Sequence, residues 1–181
     1  MRDGLLSWQT GALQQRIWSA AAQGAAPLVA LALLCSAAKV ARTTGRAPAE
    51  RLSERFGTYS TPRPPGVRLL WIHAVSVGEG AAAAPLIHAL RAAHPQLVVV
   101  VSAGSAAALE ARLASPIWAA CHLVLAPIDT TAAARAFLAH WQPCAAVFVE
   151  TELWPNLLEE ARRAQVPVAL VNARAFGAVP G

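Results

Sequence analysis

Lysine is nearly absent from these 181 residues: Lys39 is the only one, and arginine carries the rest of a formal net charge of +5. Arginine grips phosphate and carboxylate groups bidentately. Anionic partners such as nucleotides, phospholipids or nucleic acid therefore fit the charge, and composition does not choose between them. Cysteine is scarce too. Cys35, Cys121 and Cys144 show no CxxC or other metal-ligand spacing, which reads as three reduced, structural thiols in a cytoplasmic globular part. The chain lacks a P-loop, a GxGxxG fingerprint, zinc-site spacing and a GxSxG elbow. No secretory cleavage pattern is evident near Met1. What the chain has in abundance is apolar surface, at 56% of residues, which excludes disorder and points to membrane contact.

Residues 1–46 read as an N-terminal membrane-anchor helix with a basic flank. Ile17–Ala38 carries no charge and has Pro27 in its middle. About 20 apolar residues suffice to cross a bilayer, but Ser19, Gln23 and Gly24 soften the first half. Lys39, Arg42, Arg46 and Arg51 follow, the asymmetry expected if the C-terminal side faces the cytoplasm. Three arrangements stay open: a helix that spans the membrane, one that lies on its surface, and one that packs on the protein's own body. Residues 47–66 form a connector. There Glu50–Gly57 makes a short charged helix with a glycine stop, and Pro62, Pro64 and Pro65 stiffen an extended linker.

From residue 67 to 181 the pattern becomes regular. Strands are expected at Val67–Ala74, Leu97–Ser102, Cys121–Leu125, Ala145–Val149 and Val166–Val171. Helices are expected at Ala81–Ala93, Ala106–Leu113, Thr130–Trp141 and Trp154–Ala164. Continuous rather than alternating apolar strands, separated by helices, predict an α/β fold. This is a Rossmann-like parallel sheet with helices on both faces. Strand order is not legible at this level.

Open α/β sheets bind ligands beyond the carboxyl ends of their strands, and three such ends carry polar groups. Glu79 follows Ser76-Val77-Gly78 at the first strand-to-helix turn, where Gly78 is expected to let the backbone turn sharply. A carboxylate in a first helical turn is ordinarily a helix-stabilising residue, and the alternative is a general base. Glu150 and Glu152 end the fourth strand, with Asn156 just inside the next helix. Arg174 follows the fifth strand, as an anion ligand or a carbonyl cap. Asp129 or Thr130 starts a helix. His73 reads as a core histidine, and the remaining histidines have no ligand spacing.

Taken together, these stretches resemble the 3-deoxy-D-manno-octulosonic acid (Kdo) transferases of lipopolysaccharide synthesis. The matching segments are Arg51–Gly57, Trp71–Glu79 with its Ser-Val-Gly-Glu, Ala126–Asp129, Glu150–Asn156 reading Glu-Thr-Glu-Leu-Trp-Pro-Asn, and Val171–Arg174. The resemblance implies an inverting glycosyltransferase of two Rossmann-like domains (the GT-B fold), acting on the cytoplasmic face of the inner membrane. It would transfer Kdo from CMP-Kdo to a lipid A precursor, with no bound metal and no cofactor beyond that donor. By motif match, Glu79 is the catalytic base. Ser76, Gly78, Glu150, Glu152, Asn156 and Arg174 are acceptor-binding or shape the site.

Two departures qualify the resemblance. Ser102–Ala107 is largely alanine where the family carries a hydroxyl-rich run, which puts acceptor contacts by those hydroxyls in doubt. The donor-binding C-terminal domain is also absent from these residues, so the chain reads as the acceptor half, inactive alone. A non-catalytic, membrane-tethered module that binds a lipid or a protein partner is the alternative reading. A glycosyltransferase with another lipid acceptor is a further one.

Overall fold

A computed structural model describes residues 24–25, 48–150 and 154–173. The anchor segment Ile17–Ala38, apart from residues 24–25, and the site candidates Glu152 and Arg174 lie outside them. Among the described residues, no helix is long and apolar enough to cross a membrane.

The chain divides into two compact units. The larger part of the expected fold is in the unit that spans residues 64–126, 142–153 and 166–181. Five strands form one all-parallel sheet: β1 (Leu69–His73), β2 (Val98–Ala103), β3 (His122–Leu125), β4 (Ala145–Val149) and β5 (Val168–Val171). Their order is β3-β2-β1-β4-β5. The chain runs outward from β1 to β3, then returns to the other side of β1. The strand order therefore reverses between β1 and β4, which is the topological switch point of a doubly wound sheet.

Each strand places alternate side chains on opposite faces. On one face Leu70, Ile72, Val99, Val101, Leu123, Leu125, Val147 and Val149 join one apolar cluster. Helix α1 (Val77–Ala93) adds Ala83, Ala84 and Ile87, and α2 (Ala106–Leu113) adds Ala108 and Leu109. The alanines matter because a helix lined with methyl groups can lie close to a sheet of branched valines. Burying each of the larger side chains is worth about 1.5–3 kcal/mol. The other face is just as dry: Leu69, Trp71, His73, Val100 and Phe148 are all fully buried. This is why β1 to β4 read as nearly unbroken apolar runs. On that face Ser102 Oγ accepts from Trp71 Nε1 at 2.9 Å and lies 2.9 Å from His73 Nδ1. His73 is thus the hydrogen-bonded core histidine the sequence suggests.

The second unit holds α3 (Thr131–Trp141), α4 (Pro155–Arg163) and the residues before 64. The connector's expected short helix is a 3₁₀ helix, Pro48–Phe56, that ends at Gly57 with φ +82°. Tyr59 then packs edge-on against Phe137 and Trp141. Its phenol is pushed above its ordinary pKa by burial, with Glu54 adding to the effect. Helix α3 is capped by Thr130, whose Oγ1 accepts from the Ala133 N–H at 3.3 Å. Asp129 does something else: its Oδ1 accepts from the Leu157 N–H at 3.0 Å and so caps α4 across 28 residues of chain.

Candidate active site at the switch point

The first candidate lies where β1 gives way to α1. Helix α1 begins at Val77, four residues before the sequence suggests. The reason is a cap: Ser76 sits in extended geometry, and its Oγ accepts from the Glu79 N–H at 3.1 Å. The turn is therefore made at Val75 and Ser76. Gly78 is already helical, has no positive φ, and a Cβ there would make only an ordinary contact with Ser76 Oγ at 3.9 Å. The expectation that Gly78 makes a sharp turn is corrected on that point. Ser76, Val77 and Gly78 are exposed at the helix mouth.

Glu79 is only 5% exposed. Its Oε2 accepts from the Val75 N–H at 2.6 Å, a capping arrangement that reaches back past the N-cap residue. Among the described residues no other hydrogen bond reaches this carboxylate, so Oε1 accepts none from them. Glu79 stabilises the helix start through one oxygen, and the other, at the carboxyl edge of the sheet, accepts no bond from the described residues.

The turn around it is fully braced. The Ala74 N–H donates to Ser102 O at 3.2 Å, and the Gly104 N–H donates to Val75 O at 2.8 Å. Arg112, near the end of α2, donates from Nη2 to Ala74 O and Ser76 O, both at 2.7 Å. It is 3% exposed, and its guanidinium lies 5.7 Å from the Trp118 ring centroid. Burial lowers its pKa, and attraction to the Glu79 carboxylate opposes that. Sequence reasoning missed Arg112, because an arginine in the last turn of an ordinary helix looks like a solvated, dipole-balancing residue. A buried cation set against a buried carboxylate is the pairing that low-dielectric surroundings demand.

Glu150 lies on the same edge. His73 pairs with Phe148 in the β1–β4 register, so Val75 and Glu150 each fall two residues beyond that pair. Glu150 has φ +63° and Asn172, beyond β5, has φ +54°. Both are left-handed, a conformation that costs a non-glycine residue free energy and clusters at functional sites. Asn172 Nδ2 donates to Glu150 Oε1 at 3.4 Å, and the Glu150 N–H donates to Val171 O at 2.8 Å.

Asn156 belongs to the second unit, where it is 3% exposed. Its Nδ2 donates to Asp129 O at 2.7 Å, and its Oδ1 accepts from Thr131 Oγ1 at 3.3 Å. The doubtful hydroxyls of the second strand are likewise committed to the fold. Ser102 is buried beneath Trp71 and His73, and Ser105 Oγ caps α2 by accepting from the Ala108 N–H at 3.1 Å. Among the described residues, no group of three or more histidine, cysteine, aspartate or glutamate side chains could hold a metal ion.

Comparison with known proteins bears on the same segments. Residues 50–176 match the family described as 3-deoxy-D-manno-octulosonic-acid transferase (kdotransferase). The chain is similar to a probable mitochondrial 3-deoxy-D-manno-octulosonic acid transferase of Arabidopsis thaliana, at 37% identity over 91% of this chain and 35% of that protein. It is also similar to 3-deoxy-D-manno-octulosonic acid transferases of Bordetella pertussis (35% identity, 87% of this chain, 37% of the relative) and Haemophilus influenzae (34%, 69% and 29%). The chain thus spans about a third of the length of the curated relatives it matches.

Proposed function

This chain belongs to the 3-deoxy-D-manno-octulosonic acid transferase family, and from that premise we propose that it is the acceptor-side half of a glycosyltransferase that moves Kdo from CMP-Kdo to a lipid A precursor. The observation that carries the reading is the Glu79 carboxylate, anchored through Oε2 with Oε1 accepting nothing from the described residues, beside the switch point of the sheet. In this mechanism Oε1 takes the proton from an acceptor sugar hydroxyl. The hydroxyl oxygen forms a bond to the anomeric carbon of Kdo, and the bond from that carbon to the CMP phosphate oxygen breaks. Attack from the face opposite the leaving group inverts the anomeric centre. The base needs hydrogen-bond reach and the correct protonation state, and an anchored carboxylate loses little freedom in meeting the first demand.

Glu150 and Asn172 line the neighbouring strand ends and would face the acceptor, with Ser76 and Gly78 at the helix mouth. The arginine-rich composition suits a phosphorylated acceptor. Ile17–Ala38 and the basic residues after it suit attachment to the inner membrane with the catalytic part on the cytoplasmic side. The donor would be held by a second, nucleotide-binding domain of the kind the family resemblance implies.

The test is complementation. The chain is co-expressed with the C-terminal half of a family relative, and Kdo transfer to a lipid A precursor is measured for wild type and Glu79→Gln. Glutamine still accepts from the Val75 N–H but cannot take a proton. Transfer is expected to fall by about 10²–10⁴-fold, the usual worth of a positioned base. Transfer that survives Glu79→Gln at the wild-type rate would sink the assignment. Binding of the lipid without any transfer, under every pairing tried, would favour the membrane-tethered binding module.

A further inference from the structure

Arg112 does more than fill space beneath the β1–α1 turn. Its Nη2 holds the two carbonyls that flank Val75, those of Ala74 and Ser76. The N–H between those carbonyls belongs to Val75, and it is this group that fixes Glu79 Oε2. The guanidinium also lies directly against the start of α1: a Cβ on Gly80 would come within 2.7 Å of Arg112 Nε and 2.8 Å of Nη2. Among the described residues the buried Arg112 Nε and Nη1 find no hydrogen-bond partner, so the side chain is not there to satisfy its own donors. A buried arginine that leaves two donor nitrogens unpaired is a costly residue for mere packing. Its remaining function is to place one cation and two hydrogen bonds against a single turn.

We infer that Arg112 is the positioning residue for Glu79, acting through the Ala74 and Ser76 carbonyls and requiring glycine at position 80. The claim that this positioning serves catalysis rests on Glu79 being the base. The claim that Arg112 sets the geometry of the Val75–Glu79 bond does not. Loss of the arginine frees the turn, the Val75 N–H swings away from Oε2, and Oε1 is no longer held in one place.

Two readouts test this on wild type, Arg112→Met, Arg112→Lys and Gly80→Ala. The first is amide hydrogen exchange at Val75, referenced to amides in the middle of β2 that exchange by global opening. Val75 protection is expected to fall about tenfold or more in Arg112→Met, the worth of a hydrogen bond to a charged group, with β2 lagging behind. Arg112→Lys, which keeps a cation and donors, should lose less. Gly80→Ala keeps the arginine but displaces it, and should behave like Arg112→Met; it decides the matter if the methionine variant fails to fold.

The second readout is transfer in the complementation assay. There kcat is expected to fall about 10²-fold, the cost of a misplaced group, with KM for the acceptor little changed. Val75 exchange that keeps pace with β2 in both Arg112→Met and Gly80→Ala overturns the inference, as does a change confined to KM. If wild type itself transfers nothing in any pairing, the proposed function falls, and the exchange data still decide what Arg112 does.

Discussion

At Gly104 an added methyl group would overlap the Val75 side chain and come within 3.0 Å of its carbonyl oxygen. That oxygen already accepts from the Gly104 N–H, so the two turns cannot part without losing a hydrogen bond. Gly104→Ala is expected to cost about 1–3 kcal/mol, as overpacking does, seen as a lower urea midpoint with an unchanged slope. Gly78→Ala is the matched control. It meets only Ser76 Oγ at 3.9 Å, and a helical glycine is worse than alanine by about 1 kcal/mol, so stability should hold or rise. A midpoint unchanged in Gly104→Ala would mean that the turns are not locked together. The contrast separates two glycines that sequence alone presents alike. Gly78 stands in the family motif yet folding does not need it, whereas the need for Gly104 and Gly80 comes from neighbours distant in the chain. Arg112 was illegible for the same reason, since nothing in Ala-Leu-Glu-Ala-Arg-Leu separates a buried arginine from a solvated one.

Among the elements, the strands were the most legible, because burial on both faces writes β1 to β4 as runs rich in valine, leucine and alanine. Helix α2 and strand β4 fall where the sequence puts them. The start of α1 does not, since Ser76 and Glu79 form a cap that an alanine-run reading places too late. Asp129 shows the limit more sharply, because its partner is the Leu157 N–H of another helix. Helix α4 also carries a surface ion group in which Glu159 accepts from Arg162 and Arg163. The Arg162 bond, aided by both charges, holds the Glu159 pKa at about 2 against its ordinary value of 4.5. A carboxyl depressed on folding stabilises above its unfolded pKa, and that contribution fades as pH falls through the folded one. The thermal midpoint of wild type should thus exceed that of Glu159→Gln above pH 4.5, with the gap closing between 4.5 and about 2. Exposure keeps the gap small and salt should shrink it. A gap that persists undiminished to the acid end would contradict the ion-pair account.

On the scale of the whole molecule, the parallel sheet was legible and its strand order was not. The order matters more for function, because it is the reversal between β1 and β4 that brings Glu79 and Glu150 to neighbouring strand ends. The same order leaves β5 outermost, paired on one side only among the described residues. Val168 and Leu170 are 41% and 44% exposed on it. An apolar edge of this kind, with no lysine or proline within it, invites a strand from another molecule to add in register. Preparations of this polypeptide should therefore self-associate as concentration rises, and sedimentation velocity would show it. Val168→Lys should return the sedimenting species to one molecule without touching the Glu79 turn. Association that survives the lysine would locate the sticky surface elsewhere. For anyone handling the protein, solubility is thus expected to be set at the far rim of the sheet from β3, by a strand that pairs on one side only among the described residues.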